Sequence, residues 1–375
     1  MKLTVTQQQL SHGLGVVARA VSPRSTLPVL NNILIATDEG RLRLSATNLE
    51  LGITSWIGAQ IEEEGSITVP ARIFSDLIST LSSEKIDLLL NTRTQTLNVH
   101  AGSSNFDIKG IDAQEFPPMP TPDLNNAVVL NVADFKEMIN RVSFAASSDE
   151  ARPVLQGVMM EIVENEISLA ATDGFRISVN KTALSNGVGQ PVKVIIPARS
   201  LSELARIASD GQETVAMAVP EGRGQVIFHL KDAELVSQLI EGNFPDYNAI
   251  IPRSFKTHTI VSTNEFLKAC RQAEIIAREG NNVIRLNMQP QEGAPGVMEF
   301  STQSEEMGSG EVVVEATVDG PELLIAFNVR FLIEVLDVID TPNVLLETNA
   351  NNTPGLISPV GDESFKHVIM PMHLG

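Results

Sequence analysis

The phrase VPARIFSDLIST at residues 69–80 returns as IPARSLSELARI at 196–207 and, more loosely, as FNVRFLIEVLDV at 327–338. Arg72, Arg199 and Arg330 hold the same place in the three phrases and lie 127 and 131 positions apart, about one third of the 375-residue chain. Other segments keep this period. LPVLNNILIATDEGRLRLSATN (27–48) aligns with RPVLQGVMMEIVENEISLAATD (152–173), and a looser copy, NVIRLNMQPQEGAPGVMEFSTQ (282–303), carries a longer Pro/Gly connection at its hairpin. DAQEFPPMP (112–120) is answered by IEGNFPDYNAIIP (240–252). The period is too long for a solenoid unit, so it predicts three tandem domains of one fold, at 1–124, 125–254 and 255–375.

Each unit has a legible pattern. Leu10, Leu14, Val17 and Val21 fall at i, i+4, i+7 and i+11, one face of a 3.6-residue period, which predicts a first helix. NILIATDEGRLRLSAT then alternates as a hairpin around a Glu-Gly turn, and the repeated phrase supplies a second helix, with Pro70 and Pro197 expected in its first turn and Asn328 as an N-cap in the third copy. Three sets coincide on the buried stripe of that helix: Phe74, Leu201 and Leu332; Leu77, Leu204 and Val335; Leu81, Ala208 and Ile339. Runs such as KIDLLLNTRTQTLNVHAG (85–102) complete an α+β unit of two helices packed on antiparallel sheet.

Composition adds a puzzle. The net charge is −19, which on its face argues against a nucleic-acid partner. The charge is unevenly spread: the six predicted helix windows (7–24, 70–86, 132–152, 197–210, 263–285, 328–340) carry 14 basic and 14 acidic residues. The rest holds 13 basic and 32 acidic residues, so all of the excess lies outside the helices. Acidic loops alone would be ordinary solvated surface. The sharper reading is a helical face kept electrically milder for a polyanion, with Arg24, Arg72, Arg141, Arg199, Arg271 and Arg278 as candidate phosphate contacts. A single cysteine, Cys270 in FLKACRQAEII, excludes an internal disulfide and reads as a buried helix residue. The N-terminus has glutamines where a signal peptide needs an apolar core, and no run approaches a membrane span, so a cytoplasmic protein is expected.

TLPVLNNILI, RPVLQGVMMEI, ATDGFRIS, EGNFPDY and the terminal VIMPMHLG, taken with the triplication, resemble the bacterial DNA polymerase III beta subunit, or sliding clamp, family along the whole chain. The resemblance implies a head-to-tail homodimeric ring with helices lining the hole, encircling double-stranded DNA without reading its sequence. It also implies a groove that takes short linear peptides from polymerases, the clamp loader and repair proteins. A ring retains a duplex by topology and needs little contact energy, so an acidic exterior fits such a role. By the same resemblance the groove comprises Leu155, Thr172, Gly174, Phe175, Arg176, Ile177, Pro245, Ile250, Val368, Met370, Pro371 and Met372, and the dimer interface Phe106, Ile275 and Ile276. Phe175, Ala249 and His373 stand where the enterobacterial pattern has histidine, arginine and arginine, and Asp149 replaces an uncharged glutamine in a DNA-facing loop. Two methionines flanking Pro371 near a chain end suit a promiscuous apolar surface.

An enzyme finds little support. The six histidines show no metal-ligand spacing, EGRGQV lacks the Lys-Ser/Thr of a phosphate loop, and Asp173 is expected to bond turn amides; no catalytic residue, metal or cofactor is assigned. A plain oligomeric scaffold without DNA would share the fold and the acidity.

Overall fold

The computed structural model describes residues 1–22, 25–124, 127–184, 190–208, 211, 213–279 and 281–373. Among these are six α-helices: α1 (Gln7–Val17), α2 (Ala71–Thr80), α3 (Val132–Ser143), α4 (Ala198–Ile207), α5 (Thr263–Ala277) and α6 (Val329–Leu336). The Thr6 side chain caps α1 by accepting from the Gln9 amide at 3.2 Å, and Leu10, Leu14 and Val17 are buried beneath it. The helix is a turn shorter than its periodicity suggests. A short 3₁₀ segment, Ala18–Ala20, redirects the chain, and Val21 is extended.

The prolines sit one residue earlier than expected. Pro70 and Pro197 end the strands Ser66–Pro70 and Val192–Pro197 rather than opening the helices, in a place where the fixed φ of proline still suits the exit from the sheet. Asn328 caps α6 as expected, its side chain accepting from the Arg330 amide at 3.0 Å. The shared stripe is buried in all three copies: Phe74, Leu201 and Leu332 are wholly inaccessible, and Leu81, Ala208 and Ile339 nearly so. Burying one such phenylalanine stabilises by about 2–3 kcal/mol. Leu77 is the exception, half-buried, with Ile78 taking the core position. The hairpin Asn32–Asp38/Arg41–Thr47 turns through Glu39 and Gly40 at φ +46° and +77°, the two left-handed residues that a tight two-residue turn requires.

Every strand pairing among the described residues is antiparallel. The sheets do not stop at the sequence repeats. In an eight-stranded sheet, Ala233–Gln238 of the second repeat pairs with Leu51–Gly58 of the first, with Leu51 opposite Ser237. In a twelve-stranded sheet, Phe365–Ile369 of the third repeat pairs with Arg176–Ala183 of the second, with Ile177 opposite Val368. The chain accordingly forms two compact units, Met1–Ala133 with Glu203–Leu239 and Asp134–Ser202 with Ile240–Gly375, and the middle repeat is divided between them. A separate five-stranded sheet in the first unit ends on Ser104–Lys109, which among the described residues pairs as a strand with Thr96–Ala101 alone. In the second unit α5 and α6 pack on the sheet over Phe266, Phe300, Phe327 and Leu332, all with no exposed surface.

Candidate functional site

The second unit carries a tight turn between Glu166–Thr172 and Arg176–Ala183. The Thr172 hydroxyl donates to the Arg176 carbonyl at 2.7 Å and accepts from the Gly174 amide at 3.0 Å. Asp173 Oδ1 accepts from the amides of Phe175 and Arg176 at 2.8 and 3.1 Å, the turn-bonding role expected of it. Gly174 takes φ +93°, where a side chain would be strained. These bonds push Phe175 outward, and it is 60% exposed.

The chain end is zipped against this turn. The Met370 amide donates to the Phe175 carbonyl and the Met372 amide to the Ala326 carbonyl, each at 2.8 Å. Beneath lie the facing pair Ile177 and Val368, both buried, in one cluster with Tyr247, Met159 and Phe244. Tyr247 thereby holds the segment that carries Pro245 and Ile250, both exposed. Phe175, Ile250 and Met370 are large apolar side chains left in solvent, while Leu155, Pro371 and Met372 are half-buried. An exposed apolar surface of this kind is a docking surface in waiting. The sequence-predicted groove residues thus sort into an exposed set and a buried floor of Thr172, Ile177 and Val368.

Arg176 belongs to neither set. Its side chain is buried, with Nε on Asp173 Oδ2 at 3.1 Å, Nη2 on the Phe144 carbonyl at 2.9 Å and Nη1 on Glu334. The guanidinium lies 4.2 Å from the Phe331 ring centroid and 5.3 Å from that of Phe144. His367 stacks on Phe144 at 5.5 Å and meets Ser178 Oγ at 2.6 Å. Phe144, Phe331, Glu334 and His367 are not legible as a group in the sequence, since they come from three places far apart in the chain: the end of α3, α6 and the strand Phe365–Ile369.

The candidate phosphate contacts fare unevenly. Arg72 on α2 is 94% exposed at its side chain, with Asp76 at 3.8 Å, and Arg199 on α4 is exposed. Arg271 and Arg278 are exposed and paired with Asp337 and Glu279 at 2.5 and 3.5 Å. Surface pairs of this sort are weak and readily exchanged for a phosphate. Arg141 requires correction: it is buried, bonded to Glu137 at 2.7 Å and Asp362 at 2.9 Å, and lies over the Phe365 ring, so it holds the fold and offers no face to DNA. Arg24 lies outside the described residues. Arg330 on α6, the third member of the repeated set, is exposed like Arg72 and Arg199 and lies 3.8 Å from Glu274, so the repeat itself marks it as a further candidate contact. Asp149 stays charged and is paired locally: the Ala151 amide and the Arg152 guanidinium hold its carboxyl below the usual carboxylate range.

Phe106 lies exposed on the free edge strand Ser104–Lys109, and Ile275 is 60% exposed on α5. Ile276 is half-buried, its Cδ1 close to Gly310 of the strand Gly308–Asp319. That strand pairs with Thr257–Ser262 only from Ala316 onward, which leaves residues 308–315 as a second free edge. Cys270 is buried in α5, and burial pushes its thiol up, as fits a packing residue. Among the described residues no three His, Cys, Asp or Glu side chains stand together as a metal site, and no helix is long and apolar enough to cross a membrane.

Three family models match in tandem: the N-terminal domain of the DNA polymerase III beta subunit over residues 1–120, its central domain over 129–246 and its C-terminal domain over 248–373. The chain belongs to the DNA polymerase III beta subunit family. Its relatives include the beta sliding clamp of Synechococcus elongatus, 34% identical over 379 residues and 100% of both chains, and that of Bacillus subtilis, 32% identical over 382 residues and 99% of both. The crystal structure of the DNA polymerase sliding clamp from Bacillus subtilis matches over 100% of both chains with a TM-score of 0.93 at 31% identity, and that of the DNA polymerase III subunit beta from Pseudomonas aeruginosa with 0.90 at 27%. This beta subunit is a sliding clamp, a processivity factor for DNA polymerase with no catalysis of its own.

One pH dependence follows from the beta subunit's buried histidine. Burial, and then the nearby Arg176 charge, push His367 well below its ordinary value of 6.5, so the ring is neutral in the fold while the unfolded chain takes up a proton as pH falls through about 6.5. The unfolded state binds more protons there, and stability is lost toward acid from this group with a slope that averages about 0.8 kcal/mol per pH unit between pH 7.0 and 5.5 and approaches about 1.4 below that. Denaturant unfolding between pH 7.0 and 5.5 should show this slope for the native chain and a shallower one for His367→Gln. Equal slopes would assign the effect elsewhere.

Proposed function

We propose that two copies of this chain close head to tail into a ring around double-stranded DNA, which it holds without sequence preference, and that polymerases, the clamp loader and repair proteins dock on it by short linear peptides. The carrying observation is two unpaired strand edges, among the several that the three sheets leave, beside which apolar side chains stand at the interface positions the resemblance implies. Ser104–Lys109 presents Phe106 at one, and residues 308–315 lie beside Ile275 and Ile276 at the other. An exposed strand edge with apolar side chains is an aggregation hazard unless another strand covers it. Two different edges on one chain make a heterologous contact, and in a dimer that contact occurs twice and closes the ring.

The division of the chain into domains at 1–124, 125–254 and 255–375 goes with this reading, and so does a cytoplasmic setting. Arg72, Arg199, Arg271 and Arg330 on the helices would meet phosphates, with Arg278 at the end of α5 and Arg24, outside the described residues, as further candidates, while the acidic excess of the remaining segments keeps the duplex off other surfaces. Weak contacts suit a sliding ring, since each strong one would raise the barrier to movement along the duplex. The partner surface comprises Leu155, Gly174, Phe175, Pro245, Ile250, Met370, Pro371 and Met372 over the floor of Thr172, Ile177 and Val368.

Topological retention is the test. Once loaded on a nicked circular plasmid the protein should stay bound through gel filtration in high salt and run off when the plasmid is cut once. Equal loss from circular and linear DNA would favour an oligomeric scaffold.

A further inference from the structure

The turn that carries Phe175 has a twin. At residues 47–51 the Thr47 hydroxyl donates to the Leu51 carbonyl at 3.1 Å and accepts from the Leu49 amide at 3.0 Å. Asn48 Oδ1 accepts from the amides of Glu50 and Leu51 at 3.0 and 2.7 Å, and the Gln238 amide donates to the Glu50 carbonyl at 2.8 Å. Each of these bonds has its counterpart in the second copy, down to Met370 on Phe175. Leu49 takes φ +76° where Gly174 takes +93°. Two changes of chemistry stand in the buried and half-buried part of the turn, Asn48 against Asp173 and Leu51, an ordinary core residue, against Arg176, and the two charged newcomers bond each other.

An arginine is therefore not needed to form this turn. Burying its guanidinium is costly unless every donor finds a partner, and removing one partner leaves part of the buried charge uncompensated. What Arg176 adds beyond the Leu51 arrangement are bonds that leave the turn: to the Phe144 carbonyl just past α3, and to Glu334 on α6, with Phe331 of α6 against its face. Both Phe144 and α6 lie in the same compact unit as the turn.

We propose that Arg176 is a positioning residue of the partner surface: it fixes the Phe175 turn against α3 and α6 from behind, and an incoming peptide does not touch it. This rests on the peptide-docking reading. Its physical content is preorganisation. Phe175 and Met370 are joined through a single backbone bond, and their spacing is set by how firmly the turn is held to the third repeat, so a rigid turn spares a peptide the cost of ordering it. The planar fork serves three partners at once in three directions, which a lysine ammonium on a flexible stem cannot do.

Glu334 decides the matter, because it bonds Arg176 from the far side and is no part of the docking surface. The probe is a fluorescent apolar peptide chosen from overlapping peptides of the cognate replicative polymerase, titrated by anisotropy into the full-length protein. Glu334→Gln is expected to weaken binding about fivefold or more. Arg176→Lys, which also gives up the fork to Asp173 and the Phe144 carbonyl, should weaken it at least as much, and the double variant should lose no more than Arg176→Lys alone, because the Glu334 tie is already broken in it. If the peptide touches Arg176 directly, Glu334→Gln will bind as tightly as the native chain while Arg176→Lys binds poorly, and the proposal falls. Thermal unfolding of each variant separates weak binding from lost fold; should Arg176→Lys fail to fold, the Glu334→Gln result stands alone. A native chain that binds none of the peptides would overturn the docking reading itself, a different outcome from a native chain and a Glu334→Gln variant that bind equally.

Discussion

Truncation after Met370 is expected to abolish partner-peptide binding, a loss of at least about 100-fold, with the dimer and the fold intact. The strand Phe365–Ile369 is held on both sides, by Arg176–Ala183 and by Gly355–Pro359, and stays in place. What is lost is the bridge from Met372 to Ala326 and with it the half-buried Pro371 and Met372 side chains that complete the surface beside Phe175. Met372→Ala alone removes the thioether and should cost about tenfold, the value of a few buried methylenes. Anisotropy with a labelled peptide reads the first effect and sedimentation velocity the second. A truncated chain that sediments as a monomer would make the tail a structural element and withdraw it from the docking surface.

Ile275→Arg should convert the protein to monomers, weakening dimerisation by at least about 100-fold. An arginine placed at the centre of an apolar contact must be desolvated without a partner, a cost well above that of truncation to alanine. Because Ile275 is exposed in the single chain, the substitution should leave the melting of the isolated subunit within about 0.5 kcal/mol of the native one. Phe106→Arg, on the other edge, should behave alike, and mixing the two variants should restore an open dimer held by the one contact that is native on both sides but no closed ring, since the other contact then carries both arginines. Analytical ultracentrifugation across a dilution series measures this. A dimer that survives both changes would remove these edges from the interface.

The sequence carried the repeat, the helix count and the hairpins because those rest on local rules: the 3.6-residue stripe beginning at Leu10, the left-handed pair Glu39 and Gly40, the cap at Asn328. It also carried the turn role of Asp173. Long-range pairing was hidden. Nothing in Ala233–Gln238 announces that it will zip to Leu51–Gly58, since any half-buried strand presents the same alternation to several possible neighbours. Arg141 was misread for the same reason. On α3 it has the spacing of a surface residue, and only the distant Asp362, with Phe365 beside it, draws it inward. Arg176 read as a groove residue because of its neighbours, whereas its partners Phe144 and Glu334 lie 32 and 158 positions away.

The strand pairs that cross the repeat boundaries have a mechanical consequence. Excising the middle module would tear two rows of main-chain hydrogen bonds, at Leu51–Gly58 and at Phe365–Ile369, and leave raw margins ready to stick to anything extended. The seams between the repeats are therefore the stitched places of the finished protein, and a chimera that exchanges modules between relatives would have to cut through cloth.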